Sequence, residues 1–268
     1  MNLKKKKNVI NSFILVILVF TTVLVYNNLS TAQKEQESGY DLSGYVTSDP
    51  LYIDNDSDLA GNSTSGSGIV GDPYVIENLS IITAEDYGIY IRDTTVNFII
   101  RNCFIESSLY GIWIYDTADH TTEIDNNIIQ NIGGSGIRFI TTQYANITNN
   151  YVTGCGSSGI YADYSSFAVV KNNTCTFNSN GIYGTYSDNT SYVENILHNN
   201  TQYGLYVDES YYSKATENEI YYNDVYGIYV ELSLSITINN NQIYGNLWHG
   251  IFTYWDTSTV ISYNTIYN

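Results

Sequence analysis

The sequence predicts an all-β chain, a parallel β-helix (solenoid) of about eight coils of roughly 23 residues. Three observations carry this. A glycine followed by an aliphatic residue recurs at Gly88-Ile89, Gly111-Ile112, Gly136-Ile137, Gly159-Ile160, Gly181-Ile182, Gly204-Leu205, Gly227-Ile228 and Gly250-Ile251, in steps of 22 to 25 residues. Fourteen residues after a glycine stands an asparagine, at Asn102, Asn150, Asn173, Asn195, Asn218, Asn241 and Asn264; a two-residue insertion moves that of the second coil to Asn127. Two residues beyond each asparagine comes an apolar side chain, from Phe104 and Ile129 through to Ile243 and Ile266.

In chain order, Lys4 to Lys7 precede an apolar stretch from Phe13 to Tyr26, and the small residues Ser30-Thr31-Ala32 follow. A positive end, an apolar run and an A-x-A-like site make residues 1–32 a secretory signal peptide. Counted from Val9 the run reaches 18 residues, near the lower limit for crossing a bilayer, so the segment also reads as a retained N-terminal membrane anchor. Either reading places the rest of the chain outside the cytoplasm, extracellular or at the cell surface, with membrane contact only through this segment. Residues 33–71 are rich in Ser, Gly, Asp and Asn and read as a flexible, exposed polar leader; the repeat domain is expected over 72–268.

Each coil then holds three short apolar groups, as in Ile228/Val230, Ile236/Ile238 and Ile243. Alternation at period two in pieces this short means strands. Asn, Gly and Ser separate the pieces and suit left-handed bends. Three strands per coil, every coil alike, stack with rungs about 4.8 Å apart. The recurring asparagine is then a structural column whose amides hydrogen-bond along the stack. A leucine-rich repeat has a similar period but would show a leucine framework, and none is present. The sequence stops at Asn268 partway through a coil, which reads either as an edge for end-to-end self-association or as the end of a fragment of a longer chain.

The charge balance narrows the partners. The chain carries 27 acids and 10 basic residues. Cleavage after Ala32 leaves 6 basic residues against 27 acids, a difference of −21. Binding to phosphate backbones needs clustered Lys and Arg, so nucleic acid is not an expected partner. Cys103, Cys155 and Cys175 are too few and too scattered for a disulfide framework.

Chemistry is sought on the first strand of each coil. If the residue after the glycine points inward, the next points out. That outward column reads Tyr90, Trp113, Arg138, Tyr161, Tyr183, Tyr206, Tyr229 and Phe252. Aromatics are good strand formers and stack along a ladder. Their concentration in one outer column also reads as an interaction strip, with flat rings suited to the apolar faces of sugars. Two residues on, Arg92, Tyr115, Ile140, Asp163, Thr185, Asp208, Glu231 and Tyr254 share the same face. Asp208 and Glu231 lie in register on adjacent coils, near the separation of a retaining glycosidase pair, with His249 just before the next glycine. In so acidic a chain, two neighbouring carboxylates also arise without catalysis.

A second constellation, Asp116, Asp119, His120, Glu123 and Asp125, sits on the coil with the insertion. Acids and a histidine in an extruded loop can bind calcium or act as acid and base; more often such a loop is a solvated turn.

The leader ending in Gly68-Ile69-Val70-Gly71-Asp72-Pro73-Tyr74-Val75-Ile76-Glu77-Asn78, together with the Gly-Ile and Asn-Asn units, resembles the right-handed β-helix proteins of the pectin-lyase-like superfamily. It is most similar to the group named after the periplasmic copper-accessory protein NosD. The resemblance covers about residues 52–268 and implies a right-handed solenoid. For function it implies little, because the superfamily holds lyases, hydrolases, epimerases and adhesins. Copper fits poorly, since the chain has one Met, three scattered histidines (His120, His198, His249) and no cluster of soft ligands. Lyases and epimerases of the superfamily neutralise a uronate carboxylate with cations, and the repeat region holds only Arg92, Arg101, Arg138, Lys171 and Lys214. Arg92 and Arg138 face the aromatic strip. The expectation is a non-catalytic glycan-binding, surface-binding or structural module, with a polysaccharide hydrolase, lyase or epimerase as the alternative.

Overall fold

Each of the three apolar groups in a coil forms a strand, and like strands from successive coils pair in parallel to build three sheets. The computed structural model describes residues 40–267, so the signal or anchor expected over 1–32 lies outside the described residues. The β-helix unit begins at Gly44. Its handedness is right-handed. The glycine sheet stacks nine strands, from Leu51–Ile53 to His249–Tyr254. The sheet preceding the asparagines also has nine, from Tyr74–Glu77 to Val260–Ser262, and the sheet following them has ten, from Val46–Thr47 to Thr265–Tyr267.

The glycine column exists because coils approach closely there. A Cβ on Gly111 would lie 2.6 Å from both the Gly136 carbonyl oxygen and Ile129 Cγ2, a contact no side chain can make. The glycine and the aliphatic residue after it are both buried, and the next residue turns outward. Ile89, Ile112, Ile137, Ile160, Ile182, Leu205 and Ile228 are therefore fully enclosed and form one wall of the core.

At the corner between the two asparagine-flanking sheets, Asn127, Asn150, Asn173, Asn195, Asn218, Asn241 and Asn264 form a ladder. Each Nδ2 donates to a backbone carbonyl of the coil before, as Asn195 does to Val170 O at 2.8 Å. Each but Asn264 also donates to the next Oδ1, as Asn195 does to Asn218 at 3.0 Å. A buried amide is thus fully occupied, which is what makes its burial tolerable. Asn102 is not part of this column. The first coil carries one extra residue before the corner, so its place falls to Cys103, whose backbone N–H donates to Asn127 Oδ1. Asn102 stands outside, accepting from Asn126 Nδ2 at 2.7 Å.

The other two corners carry ladders too. Asn178, Asn200, Asn223 and Asn246 repeat the amide pattern. Ser165, Ser187, Ser210 and Ser233 pass backbone N–H to Oγ bonds along the third corner. The residue before each ladder member makes the bend with positive φ, for example Asn149 at 57° and Asn240 at 58°. Several bends use bulky residues instead of Asn or Gly, including Tyr164, Tyr186, Tyr222 and Trp255.

The stack reaches further towards the N-terminus than residue 72, since Leu51–Ile53 pairs in parallel with Tyr87–Arg92. Leu51–Ile53 and the helix α1 (Asp56–Asn62) belong to the stack, with Ile53 and Leu59 fully buried. Asn55 caps α1, accepting from the backbone N–H groups of Ser57 and Asp58. The apolar spacing of this short piece is too brief to stand out from its polar neighbours.

Candidate functional site

The outward face of the glycine sheet gathers the residues singled out in its second and fourth columns. Tyr90, Trp113, Arg138, Tyr161, Tyr183, Tyr206, Tyr229 and Phe252 all point outward and all are half-buried. Their burial comes from one another. Tyr161, Tyr183, Tyr206 and Tyr229 stack at centroid separations of 4.8, 4.5 and 4.8 Å, within 14° of parallel. Arg138 continues the stack where an aromatic is missing, its guanidinium 5.3 Å from the Trp113 ring and 4.8 Å from Tyr161. Ring faces are therefore taken up along the column, and ring edges and hydroxyls are what the face presents. The expectation that flat rings lie open to sugars is corrected on this point.

The sidedness that set this column apart is also corrected. His198, Tyr221, Tyr244 and Tyr267 stack at 4.7 to 5.0 Å on the sheet following the asparagines. His120, Tyr144 and Phe167 stack on one side of a bend, and Tyr164 with Tyr186 on another. Stacking of rings one rung apart is general in this chain because the rung spacing is close to ring-stacking distance. The glycine-sheet column differs in holding an arginine within the stack, and it shares with the sheet following the asparagines, where Tyr244 Oη donates to Glu219 at 2.7 Å, its kind of polar neighbours.

Those neighbours are acids and hydroxyls. Asp208 and Glu231 are register partners on adjacent strands. Tyr183 Oη donates to Asp208 at 3.2 Å and Tyr206 Oη donates to Glu231 at 2.6 Å. Burial pushes the Asp208 carboxyl above its ordinary value, against the lowering effect of the Tyr183 bond and with a further raising contribution from Glu231. Asp163, two coils earlier, accepts from Arg138 Nη2 at 3.3 Å. Burial and the nearby acids raise the tyrosine hydroxyls in turn, Tyr161 to about 12. His249 joins the neighbouring column, stacked on Tyr226.

The second constellation disperses. Asp116, Asp119 and His120 are exposed at a bend, and His120 lies 3.8 Å from Tyr144, ring to ring. Asp125 is occupied by Thr148 Oγ1 and Asn149 Nδ2, at 2.7 and 2.6 Å. Glu123 and His120 line a cleft of about 270 Å³ beneath Val70 and Gly71, where burial raises the Glu123 carboxyl. Among the described residues no three His, Cys, Asp or Glu side chains gather as a metal site. The donors do not fit copper either: the three cysteines are buried singly, with the Cys103 thiol pushed up to about 12 by burial. His198 Nδ1 is shared between Thr176 Oγ1 and Asn199 Nδ2.

The profile of the family described as "Right handed beta helix region" matches residues 135–268, and that of "Periplasmic copper-binding protein (NosD)" matches residues 47–155. No curated protein sequence matches the chain. Among solved structures it is similar to a double mutant of the periplasmic alginate epimerase AlgG, with TM-score 0.62 and 19% identity over 71% of this chain and 50% of that one. It is also similar to the enzymatically active domain of bacteriophage CBA120 tailspike protein 2, with TM-score 0.66 and 14% identity over 83% of this chain and 38% of that one. A third is the A-module of the Azotobacter vinelandii mannuronan C-5 epimerase AlgE4, with TM-score 0.50 and 13% identity over 84% of this chain and 88% of that one. The chain thus spans about half the length of the first of these and less of the tailspike. Such likenesses carry the fold and nothing finer. With the profile covering the second half of the chain and the three stacked parallel sheets running through it, the chain belongs to the right-handed β-helix family.

Proposed function

We propose that this chain is an exported protein whose glycine-sheet face binds a polysaccharide without cleaving it. One observation carries the reading: a tyrosine hydroxyl stands on four successive rungs of one sheet, Tyr161, Tyr183, Tyr206 and Tyr229, with Asp163, Asp208 and Glu231 beside three of them. That repeat of about 4.8 Å is close to the advance of one pyranose along an extended chain. A glycan lying along the solenoid axis meets a donor or acceptor at each sugar. Export is supported by the lysine-led apolar N-terminus and by the periplasmic description of the family matched at residues 47–155. The polysaccharide substrates named for the epimerases of the same fold agree with the ligand class.

The test keeps the ladder and removes its hydroxyls. In a glycan array, replacing Tyr183, Tyr206 and Tyr229 together by Phe should abolish binding while leaving the circular dichroism spectrum and melting temperature near wild type. Undiminished binding by the triple variant would rule out this face.

A catalytic reading is favoured by one further observation, the register of Asp208 and Glu231 on adjacent strands, each bonded to a tyrosine of the coil before it, with burial raising the Asp208 carboxyl. It is tested by reducing-end release from a polysaccharide panel, with Asp208→Asn and Glu231→Gln as controls. Release lost in both variants would replace the binding role with hydrolysis.

A further inference from the structure

We infer that the ligand of the glycine-sheet face is a glycan without carboxylate or sulfate groups, so that this solenoid selects against the uronate polymers on which the epimerases of the same fold act. The inference rests on the binding role proposed above and adds the sign of charge that the face accepts.

A polyanion needs unengaged cations to offset the cost of desolvating its charges. The described residues hold five Lys and Arg side chains, and four of them are already paired. Arg92 donates to Asp54 at 2.8 Å, Arg101 to Glu77 at 2.7 Å, Arg138 to Asp163 at 3.3 Å, and Lys171 lies 3.2 Å from Glu194. Only Arg92 and Arg138 belong to the face in question. Arg138 is held most firmly, its guanidinium placed between the Trp113 and Tyr161 rings and also donating to Tyr110 Oη at 3.3 Å. A substrate carboxylate beside it would share a single guanidinium with Asp163, so the pair offers a uronate no net positive charge. Lys214, the fifth cation, lies on Lys214–Thr216 in the sheet preceding the asparagines, facing away from this site.

The acids on the face are not balanced in the same way. Asp208 and Glu231 have no ion-pair partner among the described residues; they accept hydrogen bonds from Tyr183, Thr185 and Tyr206. A neutral sugar can donate its hydroxyls to the remaining lone pairs of these carboxylates. The hydroxyls of a uronate can do the same, but its carboxylate repels them. Two charges of one sign on adjacent rungs, beside a ladder of aromatic carbon, set the selection against every anionic unit that passes over coils six and seven.

The experiment is calorimetry and affinity electrophoresis of the full chain in EDTA. Unsubstituted mannan, β-glucan and xylan form one set of probes, and polymannuronate, polygalacturonate and a sulfated galactan the other. The expected result is binding to at least one neutral polymer, with every anionic polymer weaker by about tenfold or more. Asp208→Asn with Glu231→Gln should then raise uronate binding about tenfold. The same charge change made by Glu217→Gln with Glu219→Gln, near the corner between the other two sheets, should not. Uronate binding as tight as neutral binding in the unaltered protein overturns the inference and leaves the binding role standing. An equal gain from both double variants also overturns it, by showing that the overall charge of the chain does the selecting. Binding to neither set overturns the binding role itself, and the inference falls with it.

Discussion

At the scale of single residues, the core shows how one large side chain is admitted by a deletion opposite it. Tyr192 is fully buried on Ser191–Val193, and its Oη has no hydrogen-bond partner. The space it uses is where a side chain at position 184 would stand: a Cβ on Gly184 would run into Tyr192 Oη. The neighbouring coils hold Ala162 and Val207 in register with Gly184, so the inner wall narrows and widens again around the ring. An unpartnered buried hydroxyl costs about 1 to 3 kcal/mol. Tyr192→Phe should therefore stabilise the protein by about 1 kcal/mol in urea unfolding. Gly184→Ala should destabilise it by about 2 kcal/mol, as overpacking does, and adding Tyr192→Phe should recover part of that loss. Gly184→Ala proving neutral would show that the ring has room to move.

At the scale of the element, the tyrosine ladder couples the fold to alkaline pH. Burial, with the nearby carboxylates adding to it, raises the hydroxyls of Tyr183, Tyr206 and Tyr229 above their ordinary value of 10.0, and Tyr161 to about 12. The sign follows from proton counting. Between the ordinary and the raised values the folded chain holds protons that the unfolded chain has lost, so stability is intact below about pH 10 and falls as pH rises beyond it. Tyrosinate absorbance should accordingly rise in two stages. The later stage belongs to the ladder tyrosines, which ionise together with loss of the β-sheet circular dichroism signal. A single smooth titration near pH 10 with the fold intact would show that the stacked rings are open to hydroxide.

At the scale of the whole molecule, each coil touches only its neighbours, and stability is close to a sum of coil and interface contributions. Residues 182–204 make one period, since Ile182 pairs with Leu205. Deleting them joins Gly181 to Leu205 and leaves every column in register, including both asparagine ladders. The shortened protein should fold, with a urea m-value lower by roughly one part in nine, in proportion to the surface it buries. Deleting half of this stretch should give no soluble product, because inward and outward residues would exchange places in the coils that follow. Equal behaviour of the two deletions would contradict nearest-neighbour stacking.

What was legible in the sequence is what repeats. The glycine, the aliphatic after it and the asparagine recur because every coil meets the same close approach, the same core wall and the same corner, so period and inside/outside register could be read without coordinates. The errors lie where one coil departs from the rest or where two coils must be compared at once. Asn102 has the right spacing and the wrong place, because one extra residue before the corner shifts Cys103 into the ladder. The strand and helix over 51–62 escape notice because a few apolar residues among Ser, Asp and Asn set up no period. Tertiary structure alone decides what the aromatic columns present and which charges are left over. Sequence places Tyr183, Tyr206, Asp208, Arg138 and Asp163 on one face. Whether ring faces stay open, and whether an arginine is spent on a neighbouring acid, depends on side-chain distances between coils of a few ångströms, and residue spacing along the chain does not encode those.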